Sequence, residues 1–412
     1  MKVLFSSQGS RGDVQPMAVL AAALQRRGHE VVLAASPDSA PLAASFEVPF
    51  VGCGRDVNQW LASFRVEHLG ARGVMREFHG FMRTELLAQM PVLLQAGQGA
   101  QVVVSGGIQP LGASVAETLG AASVYAYYFP NLLPSDEHSP AFVPHWRLPR
   151  SLNRPLHALA RAFFSSAIRG PVNEARAAYG LPRLERIWDA LPHDFLFAWD
   201  EAIAAGPRDF ESSWQRLHHP ARAYPVGALL PEPAPLPDEV ERILAEGPCA
   251  FVGFGSMPDI DSATTRALLA AATAAVGLRL IVQGRELSRR GHVLEVAALS
   301  HAALFPRVAA VAHHCGSGTT AMASRSGVPQ IAVPHFIDQP MWARRLDELG
   351  VSAATLPKKG LQAEALARAL RRCLDDAALK GRAQALAQRL STTRPVDEAV
   401  AVVERLGRPM RA

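Results

Sequence analysis

The chain has 412 residues, 49% hydrophobic and 19% charged, which is apolar material for two or three packed domains and excludes wholesale disorder and fibrous repeats. Its 42 basic and 37 acidic side chains leave a net charge of +5, but only four of the basic residues are lysine and the arginines are scattered, so no nucleic-acid footprint is indicated. Lys2, Lys358, Lys359 and Lys380 all lie away from glycine-rich loops, which disfavours a Walker-type ATPase, and Cys53, Cys249, Cys315 and Cys373 are too dispersed for a disulfide framework or a structural zinc.

Residues 2–5 read as a short buried strand. Val3, Leu4 and Phe5 alone are too short for a signal-peptide core, and no run approaches the ~18 apolar residues of a spanning helix, so a soluble, cytoplasmic protein is expected. A polar loop over residues 6–13 leads to a helix predicted over 16–27, closed by Gly28, and a second strand at 30–35. This order is a βαβ unit with a parallel sheet. Runs at 101–104 and 123–128, around a helix at 111–119, extend it. Trp60, Phe64, Phe78, Phe81 and Met82 either wall an apolar pocket or form core. Over 153–170, Leu156, Leu159, Phe163, Phe164 and Ile168 alternate with Arg154, Arg161 and Arg169. That stripe fits a helix packed on its own domain, or peripheral contact with a membrane or lipid-like acceptor.

Four prolines within residues 229–237 read as a semi-rigid linker. Beyond it the alternation restarts: strand 249–254, helix 262–275, strands 278–283 and 308–313, helix 319–326, strand 330–334, and helix 340–349 ended by Gly350. The fold class is α/β, two doubly wound parallel sheets facing a cleft, with ligand loops at the carboxyl ends of the strands.

The densest chemistry is His313-His314-Cys315-Gly316-Ser317-Gly318-Thr319-Thr320, between a strand and a helix. A helix start presents unpaired N–H groups and about half a positive charge, which suits phosphate. The glycines allow close approach, and the histidine and threonines add donors, giving a diphosphate cradle without lysine or metal. The plain alternative is a tight turn with N-cap threonines. Asp338 and Gln339 end the next strand loop; they suit sugar hydroxyls, or cap the helix that Pro340 begins. In the N-terminal loop Gly9-Ser10-Arg11-Gly12-Asp13, Arg11 breaks any dinucleotide fingerprint. Asp13 is a general base or a first-turn acid, and the helix dipole is expected to lower its pKa. Gly253-Phe254-Gly255-Ser256-Met257 is a further close-approach loop without the spacing of a serine hydrolase, and Asp259 and Asp261 read as first-turn acids rather than a metal-nucleotide motif.

These four loops together resemble the family 1 glycosyltransferases of GT-B fold, with the nearest likeness to bacterial antibiotic enzymes of the vancomycin type and to sterol glucosyltransferases. The likeness spans nearly the whole chain and includes residues 304–311 before the histidine motif and 327–330 after it. It implies two Rossmann-like domains: an acceptor-binding domain at 1–228, a nucleotide-sugar-binding domain at 229–393, and a C-terminal segment, 394–412, whose helix returns to the first domain. It also implies inverting single displacement, with a hexose moving from a UDP- or dTDP-sugar co-substrate to a hydroxyl of an apolar natural-product, sterol or lipid-like acceptor.

By the same resemblance Asp13 is the catalytic base, and His314, Gly316, Gly318, Thr319 and, more loosely, Ser256 contact the diphosphate. Asp338 and Gln339 hold the sugar, and Ser10, Arg11, Gly12, Ser317 and Leu299 complete the donor side. No cofactor or metal is implied. Cys315 and Ser317 stand where relatives often carry Gly or Ser and Ala, and residues 297–301 lack the usual acid and Val-Pro or Trp-Pro step. The alternatives are a nucleotide-sugar epimerase and a catalytically inactive GT-B module that binds a nucleotide sugar.

Overall fold

Two seven-stranded sheets organise the chain in a computed structural model that describes residues 1–56, 71–141, 149–254, 263–284 and 286–408. The first sheet comprises β1 (Lys2–Gln8), β2 (Glu30–Ala35), β3 (Phe50–Gly52), β4 (Val102–Gly107), β5 (Ala122–Tyr127), β6 (Asp194–Phe197) and β7 (Arg222–Pro225), all parallel, in the order β3-β2-β1-β4-β5-β6-β7. The second comprises β8 (Cys249–Gly253), β9 (Arg279–Gln283), β10 (Ser288–Arg290), β11 (Val293–Val296), β12 (Ala310–His313), β13 (Gln330–Ala332) and β14 (Ser352–Thr355). Its order is β10-β11-β9-β8-β12-β13-β14, with only β10 antiparallel. The central strands are apolar and buried on both faces because helices cover each side, as parallel sheets require. In each sheet the winding direction reverses once, between β1 and β4 and between β8 and β12. The loops after β1 and β12 therefore sit at the two positions where an open α/β sheet leaves a crevice.

The first helix, Arg11–Arg26, begins five residues earlier than Pro16 predicts. A reciprocal cap sets its start: the Ser10 hydroxyl accepts from Gly12 N–H, and the Asp13 carboxylate accepts from Ser10 N–H. Two satisfied backbone donors outweigh the preference of proline for the first helical position, so Pro16 lies inside the helix. Asp13 consequently belongs to the first turn, not to a loop.

Helix Arg150–Ala177 contains the predicted 153–170 stripe and divides it. Ile168 and Ala167 enter the core with Met82, whereas Leu159, Phe163 and Phe164 remain exposed. Arg154, His157 and Arg161 share another face of the helix and line a small cavity of about 110 Å³ with Ser213 and Arg216. Phe81 packs on the same core as Met82, while Trp60 and Phe64 lie outside the described residues, as does the Phe78 side chain. No helix among the described residues is long and apolar enough to cross a membrane.

The proline segment has no regular structure but is tied down: Leu229 is buried in the first core, and Ala234 N–H donates to Ser300 Oγ at 3.1 Å. The final helix, Pro395–Leu406, inserts Ala399, Val400, Val402 and Val403 into the core of the first sheet, beside the Arg11–Arg26 helix. Arg27 reaches Asp397 and Glu404, and His29 reaches Glu404 at 3.0 Å. Where the chain crosses between sheets, Arg325 forms a two-pronged ion pair with Asp200, which is 3% exposed. The same guanidinium donates to the Leu390 carbonyl and Thr393 Oγ1, and Asp200 also accepts from Ala228 N–H. Both crossings of the chain thus meet at one buried ion pair.

Candidate active site

The turn expected to receive an anion is built by β12 and helix Ser317–Arg325. The cap position is Gly316, which has no side chain, so the threonines do not cap this helix. The first ladder bond is Thr320 N–H to Gly316 O at 2.9 Å, leaving the amides of Ser317, Gly318 and Thr319 outside the helical ladder. A Cβ on Gly316 would collide with the His314 imidazole, so glycine is what lets that ring lie over the helix start. Cys315 adopts a left-handed conformation (φ 63°) with its thiol buried, a strained turn that the surrounding core holds in place.

The two histidines differ. His313 is fully buried; its Nδ1 accepts from Cys315 N–H at 3.1 Å and its Nε2 lies 2.9 Å from Gln330 Oε1, which fixes the proton on Nε2. Burial pushes its pKa down to about 3, so it is a neutral brace. His314 is half-buried, and its Nδ1 has no hydrogen-bond partner. Burial lowers its pKa against the opposing backbone of Gly253, leaving a neutral imidazole at the turn. Burial lowers the pKa of His301, which stacks on Phe305, and the charge of Arg11 adds to the fall, so the first-domain Arg11 lies near this corner.

Opposite lies Asp13. Its Oδ2 accepts from Ser10 N–H at 2.8 Å and from Ser10 Oγ at 3.0 Å. These donors lower its pKa, but burial works the other way and wins, raising it to about 6. The expectation of a depressed pKa is therefore overturned: desolvation in the cleft exceeds the pull of the helix start. Gly9 (φ 143°) and Gly107 (φ 65°) enclose the carboxylate, and a Cβ on Gly9 would overlap it. Gly9→Ala should therefore leave the sheets folded yet displace Asp13, with a loss of turnover of about tenfold or more, checked by kinetics alongside a circular dichroism spectrum.

Asp338 and Gln339 open the helix Gln339–Glu348. Asp338 Oδ2 accepts from Trp342 Nε1 at 2.9 Å, and Ser317 N–H faces the same carboxylate. Burial raises the Asp338 pKa to about 7, and the charge of Asp13 adds to the rise. The two acids therefore sit close enough across the cleft to feel each other. Gln339 Oε1 is occupied by the N–H groups of His335 and Phe336, which braces the loop and leaves the amide nitrogen for other partners. Ile337, between Phe336 and Asp338, is left-handed (φ 57°), an unusual state for a β-branched residue and the second strained point beside the cleft.

Of the other predicted residues, Thr319 is half-buried, Gly318 is exposed, and Arg11 donates to Gln15 at 2.9 Å. Gly12 lies exposed in the same first turn as Asp13. Leu299 packs beside Val240, Phe251 and Phe305. The Ser317 hydroxyl donates its proton to the Tyr128 carbonyl rather than into the turn. Ser256, with Asp259 and Asp261, lies outside the described residues. Sequence reasoning did not single out Tyr128, Asp200, His301 or Arg325. The signal for Tyr128 was available: it follows directly on the carboxyl end of a central strand.

Two doubly wound sheets with a cleft between their carboxyl ends, a helix start on one side and the Asp13 carboxylate on the other, define a GT-B architecture. Residues 283–406 match the erythromycin biosynthesis protein CIII-like C-terminal domain family. The chain is 34% identical to glycosyltransferase GtfE of Amycolatopsis orientalis over 374 residues, 86% of each chain. It is 32% identical to the vancomycin aglycone glucosyltransferase of the same organism, again over 86% of both. The crystal structure of glycosyltransferase VinC in complex with DTDP superposes with a TM-score of 0.69 over 99% of both chains, at 22% identity. The chain belongs to the GT-B glycosyltransferases of the antibiotic-biosynthesis type.

Proposed function

We propose that the protein transfers a hexose from a UDP- or dTDP-sugar to a hydroxyl of an apolar natural-product acceptor, with inversion at the anomeric carbon. In this reading Asp13 takes the acceptor hydroxyl proton as that oxygen bonds to the anomeric carbon and the bond to the diphosphate breaks. The amides of Ser317, Gly318 and Thr319, with His314, receive the negative charge of the departing diphosphate, while Asp338 and Gln339 hold the sugar hydroxyls. Gly316 keeps the turn open, Ser10 and Gly12 shape the Asp13 turn, and Arg11 adds positive charge near the phosphates. Ser256 and Leu299 remain the looser members of the donor side.

One observation carries the proposal: a carboxyl poised near neutrality on one domain faces a helix start and a second carboxyl on the other. Exposed Ile108 and Leu132 follow β4 and β5 on the first domain, and exposed Phe336 and Ile337 adjoin Asp338 on the second, which supports an apolar acceptor. The DTDP held by VinC supports a thymidine donor, and the aglycone substrate of the vancomycin enzyme supports a natural-product acceptor.

The test incubates the enzyme with UDP-glucose or dTDP-glucose and a panel of hydroxylated aglycones. Mass spectrometry should show a hexose adduct, and NMR of the product should show the anomeric configuration opposite to that of the donor. Donor conversion without any acceptor would point to an epimerase, and no conversion of any donor to a binding module. A base must be ionised to act, so kcat/KM should fall as the pH drops through about 6, the raised value of Asp13. A limb near 4, where an ordinary aspartate titrates, would argue against that role.

A further inference from the structure

Ser317 begins the helix of the anion-binding turn, yet its hydroxyl points across the cleft and donates to the Tyr128 carbonyl at 2.7 Å. Tyr128 belongs to the first domain, immediately after β5, and is 7% exposed. Its phenol donates to the Asp13 carbonyl at 2.9 Å, and Ser7 Oγ donates to the same carbonyl at 3.0 Å. A side chain on Gly106 would strike the phenol oxygen, so the absence of a Cβ there leaves room for this bond. A continuous path, hydroxyl to carbonyl to phenol to carbonyl, therefore links the first residue of the second-domain helix to the backbone of Asp13.

The other end of the same helix is also held by the first domain, through Arg325 and Asp200. The two attachments are unequal. The Arg325 end is a buried, two-pronged, charge-assisted pair at the point where the chain crosses between sheets. The Ser317 end is a single neutral hydrogen bond, of a kind that shifts an equilibrium by only about 2- to 10-fold. A nine-residue bar pivoted firmly at one end and latched weakly at the other makes and breaks contact at the weak end first.

We propose that Ser317 and Tyr128 are positioning residues. Their contact latches the diphosphate-binding helix onto the acceptor domain and, through the Tyr128 phenol, sets the Asp13 carboxylate for proton removal. Bringing the helix onto the departing diphosphate and seating the base thereby become one event. The inference rests on the glycosyl-transfer reading of this cleft.

The experiment uses the full chain carrying Ser317→Ala, Ser317→Thr, Tyr128→Phe, and Ser317→Ala with Tyr128→Phe. Binding of UDP and dTDP is measured by calorimetry and transfer by steady-state kinetics. Ser317→Ala and Tyr128→Phe should each lower kcat by about 3- to 10-fold, with nucleotide Kd changed by less than about twofold. Ser317→Thr, which retains the hydroxyl, should recover most of the rate. The double variant should be no slower than the slower single variant, because both break one path. Losses that multiply in the double variant overturn the latch, since the two groups then act separately. Nucleotide binding weakened as much as kcat in Ser317→Ala also overturns it, because the hydroxyl is then a phosphate ligand. Those outcomes leave glycosyl transfer standing, whereas a wild-type chain that binds neither nucleotide and transfers no sugar removes both readings. If Tyr128→Phe does not fold, the contrast between Ser317→Ala and Ser317→Thr decides alone.

Discussion

Asp13→Asn should reduce turnover by about 10²- to 10⁴-fold while leaving donor affinity close to that of the wild type. The amide keeps the shape of the side chain and can still accept from Ser10, so the helix start and the Gly9 turn are retained. It cannot take a proton from the acceptor hydroxyl. The acid limb near pH 6 should vanish with the rate, because the group that titrates there is gone. Two measurements decide the matter: the pH profile of the residual activity, and nucleotide binding by calorimetry. Turnover unchanged in the variant would dismiss Asp13 as the base and move attention to the second acid across the cleft, Asp338.

Removing Arg325 should be the most destabilising single substitution in the region between the sheets. Arg325→Ala leaves Asp200 buried, 3% exposed, with its charge uncompensated and Ala228 N–H as its remaining donor among the described residues. Breaking such a pair by deleting one partner costs about 3–5 kcal/mol, of which the stranded charge is the larger part. The Thr393 hydroxyl loses the Arg325 donor at the same time, while the Leu390 carbonyl keeps its bond from Thr393 Oγ1 at 2.9 Å. Urea unfolding should report the loss, and small-angle scattering should report a wider spread of domain orientations. Replacing both partners by apolar residues of similar volume should cost far less, because no charge is then left buried. A small loss in Arg325→Ala would mean that water reaches Asp200.

The parts of the fold legible in the sequence were those where apolar runs coincide with buried parallel strands. β2 was found at its exact bounds, and β1, β8, β9 and β12 within three residues, because their runs are continuous and bounded by polar loops. The edges were not legible. β7 pairs through Arg222, Ala223, Tyr224 and Pro225, which are half-buried or exposed, and β10 is Ser288-Arg289-Arg290, a short exposed strand. Such strands form by pairing with a neighbour already in place, not by patterning of their own. Helix Ala71–Ala96 carries Gly80 and an internal Pro91, local signals against the structure that packing on helix Arg150–Ala177 imposes.

The candidate site divides in the same way. His314, Gly316 and Thr319 could be read as a cradle because the chemistry is contiguous. Asp13 could be named, but the direction of its pKa shift depends on burial by groups far away in sequence. Tyr128, Asp200 and Arg325 act through contacts spanning 65 to 189 residues, which no local pattern encodes.

The returning C-terminal helix bears on how the protein is made. Val400 and Val403 fill the core beside Leu20 and Leu24, residues synthesised almost four hundred positions earlier. The first sheet emerges from the ribosome long before its last packing partner exists, so during synthesis an apolar groove along the Arg11–Arg26 helix stays open while the whole second domain is being translated. The second domain, whose strands and helices all fall between residues 238 and 391, meets its own partners in sequence. The half that begins the chain is therefore the half that finishes folding last.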